Sequence, residues 1–190
     1  LRAAATAPVV DDTFREVINV GRHNVPMVDF HVNLKGGLTL ENALKKSRRD
    51  GIEYGIVAAG DKASERWARS MQRQPVFLRA EAGSVSASTA KLFDYILSDS
   101  ITWTQTPAAN TDREQFMDDL VTRAVGVLGS KAIHIYATPT YLPSALAKDY
   151  DTLWTEARRK KLIDAAAGHR VAIEINNRYR IPSAAFIREA

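Results

Sequence analysis

Short apolar runs alternate along this chain with segments whose apolar residues recur three and four positions apart. The runs Val25 to Val32, Tyr54 to Ala59, Val76 to Ala80, Phe93 to Leu97, Ala132 to Tyr136 and Val171 to Ile175 read as buried strands. Between them the period is helical. From Thr39 to Asp50, Leu40, Ala43, Leu44 and Ser47 share one face, with Thr39 placed as N-cap and Gly51 as the stop. Ala63 to Gln72 reads as a second helix. In Arg113 to Leu128, residues Phe116, Met117, Leu120, Val121, Ala124, Val127 and Leu128 fall within one arc of the wheel, and Gly129 follows. Asp151 to Ala167 predicts one long helix stopped by Gly168, and Ser183 opens a last helix. Residues 1–24 carry no strong period and are read as an N-terminal arm; 25–190 is one domain.

Strands that alternate with helices imply a parallel sheet or barrel covered by helices. Polar residues gather after almost every strand: His31, Asn33, Asp61, Glu81, Asp99, Thr138, Glu174 and Asn176. A (β/α) barrel brings all such ends to one mouth, whereas a doubly wound open sheet gathers only some. The stretch MVDFHVNLKGGLT, Met27 to Thr39, is the clearest example: a strand ends on His31 and Asn33, a glycine turn follows, and a helix begins. Two residues apart on an extended chain, His31 and Asn33 share a face.

Composition narrows the class. Of 190 residues, 45% are hydrophobic and 25% charged, the balance of a globular domain. No apolar run approaches the roughly 20 residues that cross a bilayer. The chain has no cysteine, so thiolate metal sites are excluded. A net charge of +4 is modest, and the runs Lys45-Lys46-Ser47-Arg48-Arg49 and Arg158-Arg159-Lys160-Lys161 fall inside helical patterns without interleaved aromatics. They read as solvated helix faces, not a nucleic-acid patch. The opening LRAAATAPVV has the Ala-x-Ala spacing of an export-signal tail, or is a plain arm; a cytoplasmic placement is the expectation. No Gly-x-Gly-x-x-Gly, Walker loop or Gly-x-Ser-x-Gly elbow occurs.

Residue chemistry marks candidates. A carboxylate ending an apolar strand needs a cation or donors, so Glu81 and Glu174 are either site residues or ion-pair partners of Arg79, Arg178 or Arg180. Asp99, between two serines, is a site residue or an N-cap. Lys35, Arg178 and Arg180 suit an anionic group. His23, His134 and His169 read as structural, and Trp103, just after the fourth strand, is placed to wall a pocket.

Three stretches resemble the PHP-type metal-dependent hydrolases, the polymerase-associated and histidinol-phosphatase-like phosphoesterases. VDFHVNLKGGLTLENALKKSRRDGIEYGIVAAG is similar to the family opening, where a strand ends in His-x-His. IHIYATPTYLP is similar to a later strand ending in His-Pro, and VAIEINNRYRIPS resembles the segment Glu-Ile-Asn-Asn. Together they cover about half the chain, in order.

The resemblance implies a distorted seven-stranded TIM-like (β/α) barrel, whose last strand would lie beyond Ala190, and divalent ions at the strand ends that hydrolyse a phosphoester. It matches His31 to the first histidine of His-x-His, with Asn33 in place of the second. It places Glu81 at a bridging glutamate, Asp99 where a histidine is usual, and Thr138 in place of the His-Pro histidine. What it implies here is one Zn, Mn or Mg ion held by His31, Glu81 and Asp99. Glu81 and Asp99 would be catalytic, and Asn33, Lys35, Glu174, Asn176 and Arg178 would bind substrate. The expected activity is metal-dependent hydrolysis of a small anionic substrate. The alternative is a catalytically degenerate barrel that binds a small molecule. Neither nucleic acid nor membrane is an expected partner, and homo-oligomerisation is the expectation for the class.

Overall fold

A computed structural model describes residues 27–34, 36–57, 65–83, 86–108, 110–130, 132–176 and 178–190. The expectations at residues 1–24, Lys35, Ala58, Ala59 and Asp61 lie outside these. The chain divides into two compact units, Leu1–Asp94 and Tyr95–Ala190. Each is α/β, with parallel strands that pair in the order in which they occur. That is the winding of successive βα units in a TIM-like barrel.

In the first unit, β1 (Met27–Asn33) pairs with β2 (Ile52–Val57), which pairs with β3 (Phe77–Glu81). Helix α1 (Leu40–Asp50) lies between β1 and β2 in sequence. Thr39 caps it, accepting the Asn42 N–H at 3.2 Å, and Gly51, at φ 70°, ends it by donating to Ser47 O at 2.8 Å. Its apolar residues Leu40 and Ala43 pack with Val32, Ile52, Tyr54 and Ile56. Alternation then turns Asn33, Val57 and Arg79, which align across the three strands, to the face away from α1.

β1 is not regular. Asp29 pairs with Tyr54 and Val32 with Ile56, so Phe30 and His31 together oppose Gly55. This β-bulge is tied by the His31 N–H, which donates to Asp29 Oδ1 at 2.9 Å. Gly55 has no side chain to intervene, and the rings of Phe30 and Phe77 meet at 5.8 Å. Helices α2 (Glu65–Met71) and α3 (Ala87–Ala90) also belong to this unit.

The second unit begins with β4 (Tyr95–Asp99), two residues later than the apolar run suggested. β5 (Ile135–Ala137) and β6 (Ala172–Ile173) are shorter than their apolar runs. Helix α4 (Arg113–Leu128) matches its expected bounds; Asp112 caps it by accepting from Glu114 N at 2.8 Å and Gln115 N at 3.2 Å.

The long helix expected over Asp151 to Ala167 is two pieces. After α5 (Ser144–Ala147) come α6 (Tyr150–Leu153) and α7 (Glu156–His169). The break has a tertiary cause: Trp154 leaves helical geometry, and its indole N–H donates to Thr140 O at 2.9 Å. Thr155 then recaps the chain. Gly168 does not stop α7, which runs on to His169 and ends at Arg170, φ 57°.

Arg158, expected on a solvated face, is buried between α4 and α7. It donates to Asp118 at 2.7 Å, Glu114 at 2.9 Å and Leu153 O at 3.1 Å. Met117, Leu120, Val121, Ala124 and Leu128 of α4 share one core with Leu162 and Ala166 of α7 and with Tyr136 and Trp154. Helix α8 (Ala184–Glu189), capped by Ser183, adds Phe186 to it.

Candidate functional site

Two clusters of polar side chains lie at strand C-terminal ends, one in each unit. In the first, Arg79 is fully buried in β3. Its Nη2 donates to Asn33 Oδ1 at 2.5 Å and to Glu81 Oε1 at 2.8 Å. Asn33 and Arg79 sit in one lateral row with Val57 between them, and Glu81 is two residues along the same face of β3. The ion pair between Glu81 and Arg79 is therefore the plain alternative weighed for Glu81, and it is present. Nε and Nη1 of Arg79 have no hydrogen-bond partner among the described residues. His31 is half-buried beside the bulge.

In the second unit Thr138 is the hub. It follows β5, is 1% exposed, and holds φ at 46°, a left-handed backbone that a β-branched residue rarely adopts. Three side chains hold it there. Its N–H donates to Glu174 Oε2 at 2.8 Å. Its hydroxyl donates to Asp99 Oδ1 and lies 3.1 Å from Ser100 Oγ. The Ser100 hydroxyl donates to its carbonyl. Asp99 also caps a 3₁₀ turn over Ser100–Thr102 through the Ile101 N–H at 3.2 Å, the capping role its serine neighbours suggested. Tyr136, behind this cluster, is buried and close to the Asp99 charge, and both raise its phenol well above the ordinary tyrosine range.

Asn176 joins this cluster to the loop after β6. Its Nδ2 donates to Glu174 Oε2 at 3.1 Å, and its Oδ1 accepts the Tyr179 N–H at 3.1 Å. Asn176 and Ile181 pair as an antiparallel bridge, closing the loop. Arg178 lies over the Tyr179 ring at 5.4 Å, and Tyr179 packs edge-on against Tyr141 at 5.8 Å. A cavity of about 230 Å³ opens beside this loop, lined by Tyr141, Leu142, Tyr150, Tyr179, Arg180 and Ile181. A second, of about 170 Å³, is walled by Trp103, whose ring carries the Arg123 guanidinium at 4.8 Å.

Among the described residues no three His, Asp or Glu side chains form a group able to hold a metal ion. Asn33 and Glu81 give oxygens to Arg79, while Asp99 takes the hydroxyl of Thr138.

Sequence reading named Arg79 only as a counter-ion. The signal for more was an arginine inside the apolar run VFLRA with Glu81 on its face two residues later. Ser100 and the hub role of Thr138 left no local signal, because they depend on residues nearly forty positions apart. His134 behaves structurally, its Nδ1 accepting the Ile96 N–H at 3.1 Å. Compared with known protein families and with curated proteins, the chain matches none.

Proposed function

We propose that this chain is a PHP-like (β/α) barrel domain in catalytically degenerate form, binding a small anionic molecule at its strand C-terminal ends. One observation carries the reading. Asn33, Glu81, Asp99 and Glu174, the residues that the resemblance draws into the site, each accept a hydrogen bond from a protein donor. Oxygens engaged in this way hold the scaffold in shape, which suits a barrel that binds without turning its ligand over. Arg178 and Arg180, on the loop after β6, supply the charge an anion needs.

A second reading, a metal-dependent hydrolase or phosphoesterase of a small anionic substrate, has its own support. Asp99 and Glu174 come from different strands and converge on one strained residue, Thr138. Strain of that kind collects at working sites.

The test is a thermal-shift screen of inorganic phosphate, small phosphomonoesters and carboxylates. A phosphoester hydrolysis assay and elemental mass spectrometry on protein purified without chelator run beside it. The binding reading expects stabilisation by an anion, no turnover and no stoichiometric metal. Turnover with a stoichiometric Zn, Mn or Mg ion would replace it with the hydrolase reading.

A further inference from the structure

We propose that the cavity beside the loop after β6 binds a small molecule built from one aromatic ring that carries an oxyanion, a carboxylate or a phosphate. The inference rests on the binding reading and gives its ligand a place and a second chemical feature. Three phenol rings, Tyr141, Tyr150 and Tyr179, line the cavity with the buried side chains of Leu142 and Ile181. A cavity of about 150 Å³ accepts benzene, whereas sites for drug-sized ligands start near about 300 Å³. At about 230 Å³ this one holds a single ring with a small substituent. Tyr141 and Tyr179 meet at 73° and form a corner, so an incoming ring finds a face and an edge together, the two arrangements that aromatic groups prefer. Tyr179 is 42% exposed, so its ring is open to a ligand.

Arg180 sets the sign of the ligand's charge. Of the described residues that line the cavity it alone is charged. It is exposed and sits at φ 55°, a backbone that glycine adopts freely and arginine does not. Its guanidinium makes no ion pair or hydrogen bond among the described residues, so no contact within the unit uses the charge that stands at this strained position. A cationic ligand would be repelled, and a neutral one would leave the guanidinium idle; its planar fork fits the paired oxygens of a carboxylate or a phosphate. Arg178, over the Tyr179 ring at 5.4 Å, adds a second positive charge on the same loop. The loop is held before any ligand arrives, by the Asn176–Ile181 bridge and by the Tyr179 N–H on Asn176 Oδ1 at 3.1 Å, which lowers the ordering cost of binding.

The experiment is a calorimetric titration of the full chain, at matched ionic strength, with benzoate and phenyl phosphate, with their ring-free counterparts acetate and inorganic phosphate, and with the uncharged ring of benzyl alcohol. At least one ring anion is expected to bind at least about tenfold tighter than its ring-free counterpart and than benzyl alcohol, and the tighter of the two names the oxyanion. Arg180→Gly takes the positive φ without strain, so the fold is kept, and its melting temperature is expected to equal or exceed that of the wild type. It is expected to bring the ring anion down to the level of benzyl alcohol. Tyr179→Leu keeps an apolar side chain but removes the ring, and is expected to bring the ring anion down toward its ring-free counterpart. If acetate or inorganic phosphate binds as tightly as the ring anions, or if both variants leave the affinity unchanged, this inference fails and the binding reading stands. If no anion binds the wild type, both fail.

Discussion

The backbone N–H of Thr138 donates to Oε2 of Glu174 at 2.8 Å, so the carboxylate after β6 holds the strained residue after β5. Glu174→Ala removes the acceptor of that N–H and of the Asn176 amide, and is expected to cost about 1–3 kcal/mol. The same change in a Thr138→Gly background is expected to cost less, because glycine adopts a positive φ without being held. Urea unfolding of the four proteins in the cycle measures the difference.

Asp50 is buried at the end of α1 and accepts from Arg49 at 2.8 Å and from Lys46 at 2.7 Å. The Arg49 bond first, then the Lys46 bond, holds its carboxyl far below the usual range. A depressed folded pKa contributes stability that is complete above the unfolded value of about 4 and is lost as pH falls toward the folded one. Melting temperature is therefore expected to drop below about pH 4 in the wild type. Asp50→Asn lowers stability at neutral pH, and the gap between the two proteins closes as acid is added. A gap independent of pH between 7 and 2 would count against the linkage.

Arg158 joins α4 to α7 through two acidic side chains and the Leu153 carbonyl. Replacing it with Met keeps much of the packing volume but strands that buried carbonyl, for an expected loss of about 2 kcal/mol. Its partners Glu114 and Asp118 are 71% and 64% exposed, so salt is expected to recover only a small part. Denaturant midpoints at low and high salt give both numbers.

Gly51 ends α1 with φ at 70°. A Cβ there opposes the left-handed backbone, and Gly51→Ala is expected to cost about 1–2 kcal/mol without altering anion binding. Chemical denaturation paired with the phosphate titration separates the two effects.

Periodicity alone determined a good deal here. α1 and α4 were legible because each has a cap residue, an apolar arc and a terminating glycine within one local window. The alternation of strands and helices followed from the same local signals. The polar residues at strand ends were legible too, since a strand that stops being apolar marks its own end.

What the tertiary structure decided is what those residues touch. Asn33 meets Arg79 46 residues away, Asp99 meets Thr138 39 away, and Glu174 meets Thr138 36 away. The same long-range logic broke the helix at Trp154, whose indole found Thr140 O, and buried Arg158 between two helices that local pattern left on a solvated face. Local sequence sets backbone conformation within a turn or two, through caps, periodicity and glycine. Whether a carboxylate is a ligand or a partner depends on which donors folding brings to it, and that is settled only when distant strands align.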